Sequence, residues 1–237
     1  MAAKGMPAWY RRWRQSWDGR LHQPRIRYAA WVDALLMDHG LLRPLWNRPQ
    51  QFAKDAWRSH QPAPGQLRRL SQLGLKTVIN LRGGGSSGSI LLAAGASQRL
   101  GMTVVDFRMS SRGAPSVERV VAFAELIDNI ETPVLLHCKS GADRSGFAAG
   151  LYLLITGQGS VSDAKAQLTW RNLHFRGAKT GMLHQFFCVY EQYLNNEQHP
   201  VSFLDWVTDV YSPEQLEQSF QPRKVSAWLV DKVLRRE

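Results

Sequence analysis

The stretch Pro133-Val-Leu-Leu-His-Cys-Lys-Ser-Gly-Ala-Asp-Arg-Ser-Gly146 places a short apolar run, a glycine-containing turn and a polar helix start one directly after another. Val134, Leu135 and Leu136 read as a buried strand. From Cys138 to Arg144 the spacing is Cys-x5-Arg. That loop length lets the N–H groups contributed by Lys139, Ser140, Gly141, Ala142, Asp143 and Arg144 turn inward around one tetrahedral oxyanion, an anion nest at a helix N-terminus. The same partial positive charge, together with the Arg144 guanidinium, favours a thiolate at Cys138. Arg144 has the planar fork needed to hold two oxygens of the anion at once. Ser145 stands next to the loop, placed to donate a hydrogen bond to the sulfur. An isolated Cys at such a turn is most often a packing residue. His137 before it, Arg144 six places after it and Ser145-Gly146 following make the chemical reading the stronger one.

The run His137 to Gly146 resembles the signature of the cysteine-dependent tyrosine and dual-specificity phosphatase superfamily. A second block, Arg58-Ser-His-Gln-Pro62 followed by Leu73-Gly-Leu-Lys-Thr-Val-Ile-Asn-Leu-Arg82, resembles the atypical dual-specificity branch and its bacterial relatives. The likeness extends over residues 55 to 195. It implies an α/β fold and hydrolysis of a phosphomonoester through a phosphocysteine at Cys138, with Ser145 easing departure of the thiolate and with neither metal nor cofactor.

Composition agrees with one folded domain plus extensions, since 237 residues at 44% hydrophobic content can bury a sizeable core. Cys138 and Cys188 are the two cysteines and give no disulfide framework; a reducing cytosol suits a catalytic thiolate. No long uninterrupted apolar run or signal-type apolar core is present, so the expectation is a cytoplasmic protein, at most peripheral to a membrane. Thirty Lys and Arg against nineteen Asp and Glu give a formal charge of +11, which favours anionic partners. A phosphorylated protein, lipid or inositol phosphate fits the charge and the loop together; nucleic acid is not expected.

Three segments are predicted: a basic, tryptophan-rich extension over residues 1–50, a Cys-x5-Arg domain over 51–197 and a helical C-terminal extension over 198–237. Residues 1–60 hold eleven Lys or Arg against four Asp or Glu, and six of the nine tryptophans. Trp9, Trp13 and Trp17 recur every four residues, which stacks them on one side of a helix opening near Pro7, while Arg11, Arg12 and Arg14 point elsewhere. With Lys4 nearby, that pattern suits either contact with an anionic membrane surface or clamping of the helix to its own domain. Tyr28 to Leu42 reads as a packing helix ending near Gly40.

From Phe52 onward, strands and helices alternate. Strands are predicted through Ala56–Arg58, Thr77–Leu81, Met102–Phe107 and Val134–Leu136. Helices are predicted from Pro64 to Gly74, Ile90 to Leu100 and 116 to 130, then near 145–156, 161–172 and 180–194, with a flexible glycine-rich loop at 82–89. Strands separated by helices at this spacing imply a mostly parallel sheet of four to five strands with helices on both faces. In such a sheet ligands bind beyond the carboxyl ends of the strands. Arg82, Arg108 and Arg112 follow strand ends and are expected to converge with Lys139 on the rim that carries Cys138. So many cations point to a substrate with more than one phosphate or another acidic group.

A leaving oxygen needs a protonated carboxyl nearby, and two candidates stand out. Asp106 lies 32 residues before Cys138, the separation typical of the acid in compact dual-specificity enzymes. Asp143, immediately before the loop Arg144, resembles the arrangement in myotubularin lipid phosphatases. The atypical branch tends to carry Pro-Asp where this chain has Pro115-Ser116, so the usual loop acid is absent; Glu118 ranks behind the two Asp residues. His174 and His184 lack metal-type spacing and are expected to serve packing or surface hydrogen bonds. Cys188, among Phe186, Phe187 and Val189, reads mainly as core. Arg176 and Lys179 lie in a basic stretch read as a solvated loop. Beyond Pro200, Phe203 to Tyr211 and Val225 to Leu234 are predicted as short helices, the second basic and amphipathic and expected to pack on the N-terminal one.

Overall fold

The computed structural model describes residues 7–38, 40–41, 45–46 and 48–220. Lys4 and the predicted helix Val225 to Leu234 lie outside the described residues.

Five strands form one sheet in the order β1-β2-β5-β3-β4. They are β1 (Gln50–Ala53), β2 (Ala56–Ser59), β3 (Thr77–Asn80), β4 (Thr103–Asp106) and β5 (Val134–His137). All neighbouring pairs are parallel except β1 and β2, which form a tight antiparallel pair. The predicted α/β architecture, with a mostly parallel sheet, is therefore the one observed. β1 itself escaped prediction because Gln50 and Gln51 are exposed and supply no apolar alternation. By contrast β3 and β5 are buried along their whole length, as central parallel strands between two helical layers must be.

The connecting helices are α3 (Pro64–Gln72), α4 (Gly88–Arg99) and α5 (Val117–Asp128). Ser87 caps α4 and Ser116 caps α5, each hydroxyl accepting a bond from the amide three residues on. α6 (Asp143–Ile155) follows β5 directly and is buried along most of its length. The single helix predicted over 161–172 is broken into α7 (Val161–Ala166) and a 3₁₀ turn, Trp170–Asn172. Thr169 adopts extended backbone between them. α8 (Met182–Asn196) closes the layer, and Phe147, Phe186 and Phe187 pack with centroids 5.4 Å apart.

The two ends of the chain are less separate than predicted. Phe203, Trp206 and Tyr211 surround Phe186 in the main core, and the Tyr211 hydroxyl donates to the Pro115 carbonyl at 2.9 Å. At the other end α1 (Ala8–Gln15) is followed by α2 (Pro24–Val32), which continues as a π-helical turn Asp33–Met37 and packs on α4. Trp17, Ala30, Ala34 and Leu92 form a small core there. Contact is so close that a Cβ on Gly88 would fall 2.0 Å from the Ala30 carbonyl oxygen.

The three-tryptophan face needs correction. α1 ends at Gln15, so Trp17 lies past it and is fully buried, while Trp9 and Trp13 remain 64% and 42% exposed. Arg14 also turns inward: its Nε donates to the Ser86 carbonyl at 3.2 Å and lies 3.5 Å from Asp33. The clamp reading thus applies to Trp17 and Arg14.

Candidate active site

Parallel register aligns Ser59 of β2, His137 of β5, Asn80 of β3 and Asp106 of β4 in one row along the carboxyl edge of the sheet. Cys138 is the first residue beyond that row, at the centre of the sheet, and is 2% exposed. Its Sγ accepts a hydrogen bond from the Gly141 amide at 3.3 Å and lies 3.6 Å from the Ser145 hydroxyl oxygen. The chain bends round the sulfur because Gly141 takes φ +75°, a left-handed value that side chains resist. It then enters α6, whose free amides and dipole face the same point. Cys138, Ser145 and the amides of the loop thus meet, with Arg144 half-buried in the first turn of the helix.

A loop whose amides point inward must aim carbonyls outward, and those need donors. Arg58 supplies them. Its guanidinium is fully buried beneath the loop, where Nη2 donates to the Gly141 and Ala142 carbonyls at 2.7 and 3.3 Å. Nη1 donates to the Gln167 carbonyl at 2.5 Å and to its side-chain oxygen at 3.1 Å. Burial lowers its pKa to about 10, opposed by the charges of Cys138 and Asp143, so it remains a cation at neutral pH. From sequence Arg58 carries no assigned role; its signal is a charged residue directly after the apolar pair Ala56-Trp57 on a short strand. The Gln61 amide adds a bond to the Lys139 carbonyl at 3.2 Å.

Arg82 was expected on the substrate rim. Instead its guanidinium grips Asp38 with Nη1 at 2.9 Å and Nη2 at 3.2 Å, and Nη1 also donates to Gln61 Oε1 at 2.8 Å. Asp38 additionally accepts from the Ser89 hydroxyl and lies 3.8 Å from Lys139 Nζ. A buried carboxylate from the N-terminal extension therefore holds one of the predicted rim cations and partly neutralises another. Nothing in the local sequence announced it. Arg108 and Arg112 are exposed beyond β4, as their position after that strand implies.

The two candidate acids differ sharply in setting. Asp106 is exposed at the end of β4 and accepts from Asn80 Nδ2 at 2.7 Å; β3 separates its strand from that of Cys138. Asp143 is buried in the loop, where its Oδ1 lies 2.8 Å from Nδ1 of the equally buried His174. His174, predicted as packing or surface, is instead the partner of a loop residue. That fixed side-chain pairing between two buried groups suits Asp143 to organising the loop. Glu118 is fully exposed and held below the ordinary carboxylate range by bonds from its own amide and the Ser116 hydroxyl. His184 is pushed down to about 4 by burial and sits 3.4 Å from Cys188, whose thiol burial pushes up.

On the far side of His174 opens a cavity of about 960 Å³, lined by Gln50, Trp170, Arg171, Phe175 and Arg176. Arg171 and Arg176 make no ion pair among the described residues.

A buried cysteine at the tip of a central strand, accepting a backbone amide just before a helix start, is the arrangement of the cysteine-dependent phosphatase class. The family described as "DSP-PTPase phosphatase fused to NAD+ Kinase" matches residues 47–183, more than half of the chain, and the chain belongs to that family. No curated protein matches. Solved structures similar to it include Tk-PTP in its active form, 18% identical, covering 60% of this chain and 97% of that one at TM-score 0.47. TpbA of P. aeruginosa is 18% identical over 60% of this chain and 91% of its own, at TM-score 0.42. The core catalytic domain of the PP-IP phosphatase SIW14 from S. cerevisiae is 19% identical over 67% and 98%, at TM-score 0.47.

Proposed function

We propose that the chain hydrolyses phosphomonoesters without metal, through a phosphocysteine at Cys138. The observation that carries this reading is the pairing of Cys138 Sγ with the Gly141 amide at 3.3 Å and with Ser145 Oγ at 3.6 Å, at the N-terminus of a long helix. In the first step the Cys138 thiolate attacks phosphorus and the alkoxide or phenoxide leaves, protonated by a carboxyl. In the second, water attacks phosphorus, inorganic phosphate forms and the sulfur leaves as a thiolate steadied by Ser145. Amides of residues 139–144 and the Arg144 fork hold the equatorial oxygens in both steps. A phosphorylated tyrosine, serine or threonine in a protein is the substrate class the family resemblance implies.

A second substrate reading, a phosphorylated lipid or inositol, is favoured by one observation. Two arginines without ion-pair partners among the described residues, Arg171 and Arg176, line a broad cavity that also includes His174, the partner of Asp143, where they suit a substrate carrying further anionic groups. Phosphate release in the presence of a chelator, from phosphopeptides, inositol phosphates and phospholipids, separates the two. Turnover that disappears on chelation would contradict the chemistry itself.

The acid is assigned by leaving group, because protonation matters for an alkyl phosphate and hardly for an activated aryl one. Asp106→Asn is expected to slow the alkyl ester by roughly 10²-fold and leave the aryl ester nearly unchanged, the general-acid contribution. Asp143→Asn is expected to slow both, through loosening of the loop. A selective alkyl loss in Asp143→Asn would reverse the assignment.

A further inference from the structure

The helical stretch from Pro24 to Met37 carries its apolar residues on both faces. Ala30, Asp33 and Ala34 face inward and are buried. On the opposite side Tyr28, Val32 and Leu36 recur every four residues at 72%, 37% and 59% exposure, flanked by Trp31 at 38% and Met37 at 52%. A surface helix normally turns polar side chains to solvent there. Nearby, α1 adds exposed Trp9 and Trp13 at the same spacing, and Leu41 and Leu45 are 63% and 75% exposed. An exposed apolar surface so concentrated in one segment marks a contact face.

Charge selects what covers it. Among residues 7–41 the exposed charged side chains are Arg11, Arg12, Arg20, Arg25 and Arg27 against Asp18 alone, since Asp33 and Asp38 are buried. A second copy of the chain would set these arginines against their own duplicates, in a molecule of formal charge +11. An anionic bilayer meets both demands, accepting aromatic and aliphatic side chains at the headgroup boundary and arginines against its phosphates. The face also includes a notch of about 550 Å³ lined by Arg27, Tyr28, Trp31, Pro64 and Arg99, two guanidinium groups and two aromatic rings among its walls. Arg27 and Arg99 make no ion pair among the described residues, so both are available to anionic headgroups. No helix among the described residues is long and apolar enough to cross a membrane, so the attachment is peripheral.

We propose that the outward face of residues 24–37, with Trp9 and Trp13, docks the protein on an anionic lipid surface. The face bears on where the phosphatase works and stands apart from the phosphate loop. It is also coupled to that loop through the chain, because Asp38, one residue past Met37, is the carboxylate that grips Arg82 and approaches Lys139.

The test is co-sedimentation of the full chain with vesicles of phosphatidylcholine alone and of equimolar phosphatidylcholine and phosphatidylglycerol, read without catalysis. Binding is expected to the anionic vesicles, to fall with added salt, and to drop by about tenfold or more in Tyr28→Glu/Leu36→Glu and in Arg25→Glu/Arg27→Glu. Both variants alter exposed side chains, and far-UV circular dichroism with turnover of a soluble aryl phosphate checks that each is folded. Should the first variant unfold, the arginine variant decides by the same criterion. Equal binding to both vesicle types, no binding to either, or a dimer that the glutamates dissolve in place of vesicle binding would each overturn the proposal.

Discussion

Cys138→Ser is expected to lower phosphate release by at least roughly 10⁴-fold, the scale of losing a covalent nucleophile, while leaving the fold and the anion nest in place. The serine oxygen would occupy nearly the same place beside the Gly141 amide and the Ser145 hydroxyl, which lie 3.3 and 3.6 Å from the native sulfur. What it lacks is the sulfur nucleophile, because an alcohol holds its proton far more tightly than a thiol does. Inorganic phosphate or vanadate should therefore still bind with an affinity within a few-fold of the native protein. Isothermal titration together with a phosphate-release assay separates the two quantities. Residual turnover near the native rate would remove Cys138 from the chemistry, and loss of anion binding would show that the sulfur itself holds the loop open.

Arg58→Met should be the most damaging single change outside the catalytic thiol. It keeps the volume of the side chain but leaves the Gly141 and Ala142 carbonyls buried without that donor, while the Gln167 carbonyl keeps only the bond from Asn172 Nδ2 at 3.3 Å. Each buried carbonyl so orphaned costs about 1–3 kcal/mol, so a total of about 3–5 kcal/mol is expected. For a chain of this size that corresponds to a Tm lowered by about 10 °C. Catalysis should also fall in the folded fraction, since the carbonyls that Arg58 fixes are the backs of the amides that face the anion. Arg58→Lys should rescue little, because one ammonium cannot span three carbonyls in a planar fork. Thermal melts and kcat measured well below Tm check the two effects independently; a variant as stable as the native protein would show that the loop carbonyls find other donors.

How far these residues could be read from sequence follows from their separation along the chain. Cys138, Gly141, Arg144 and Ser145 were legible because strand, loop and helix start are contiguous, and the groups bonded to the sulfur, Gly141 and Ser145, lie within eight residues of it. The parallel core strands were legible for a related reason: Thr77–Asn80 and Val134–His137 are short segments built round the apolar pairs Val78-Ile79 and Leu135-Leu136 and buried on both faces. Arg58, His174 and Asp38 were not, since each reaches the loop or its rim from a distant segment. Arg82 illustrates the consequence. Its place after a strand end suggested substrate contact, and only the fold shows a carboxylate 44 residues earlier claiming it. Trp17 illustrates the converse, since a four-residue spacing carries no information on where the helix stops.

Rapid acid quench of the native protein during turnover, followed by mass spectrometry of the peptide containing Cys138, detects the phosphocysteine itself. One phosphoryl group is expected on Cys138, present during turnover and absent from Cys138→Ser. Steady phosphate release with Cys138 never phosphorylated, or with the phosphoryl group on another side chain, would contradict it.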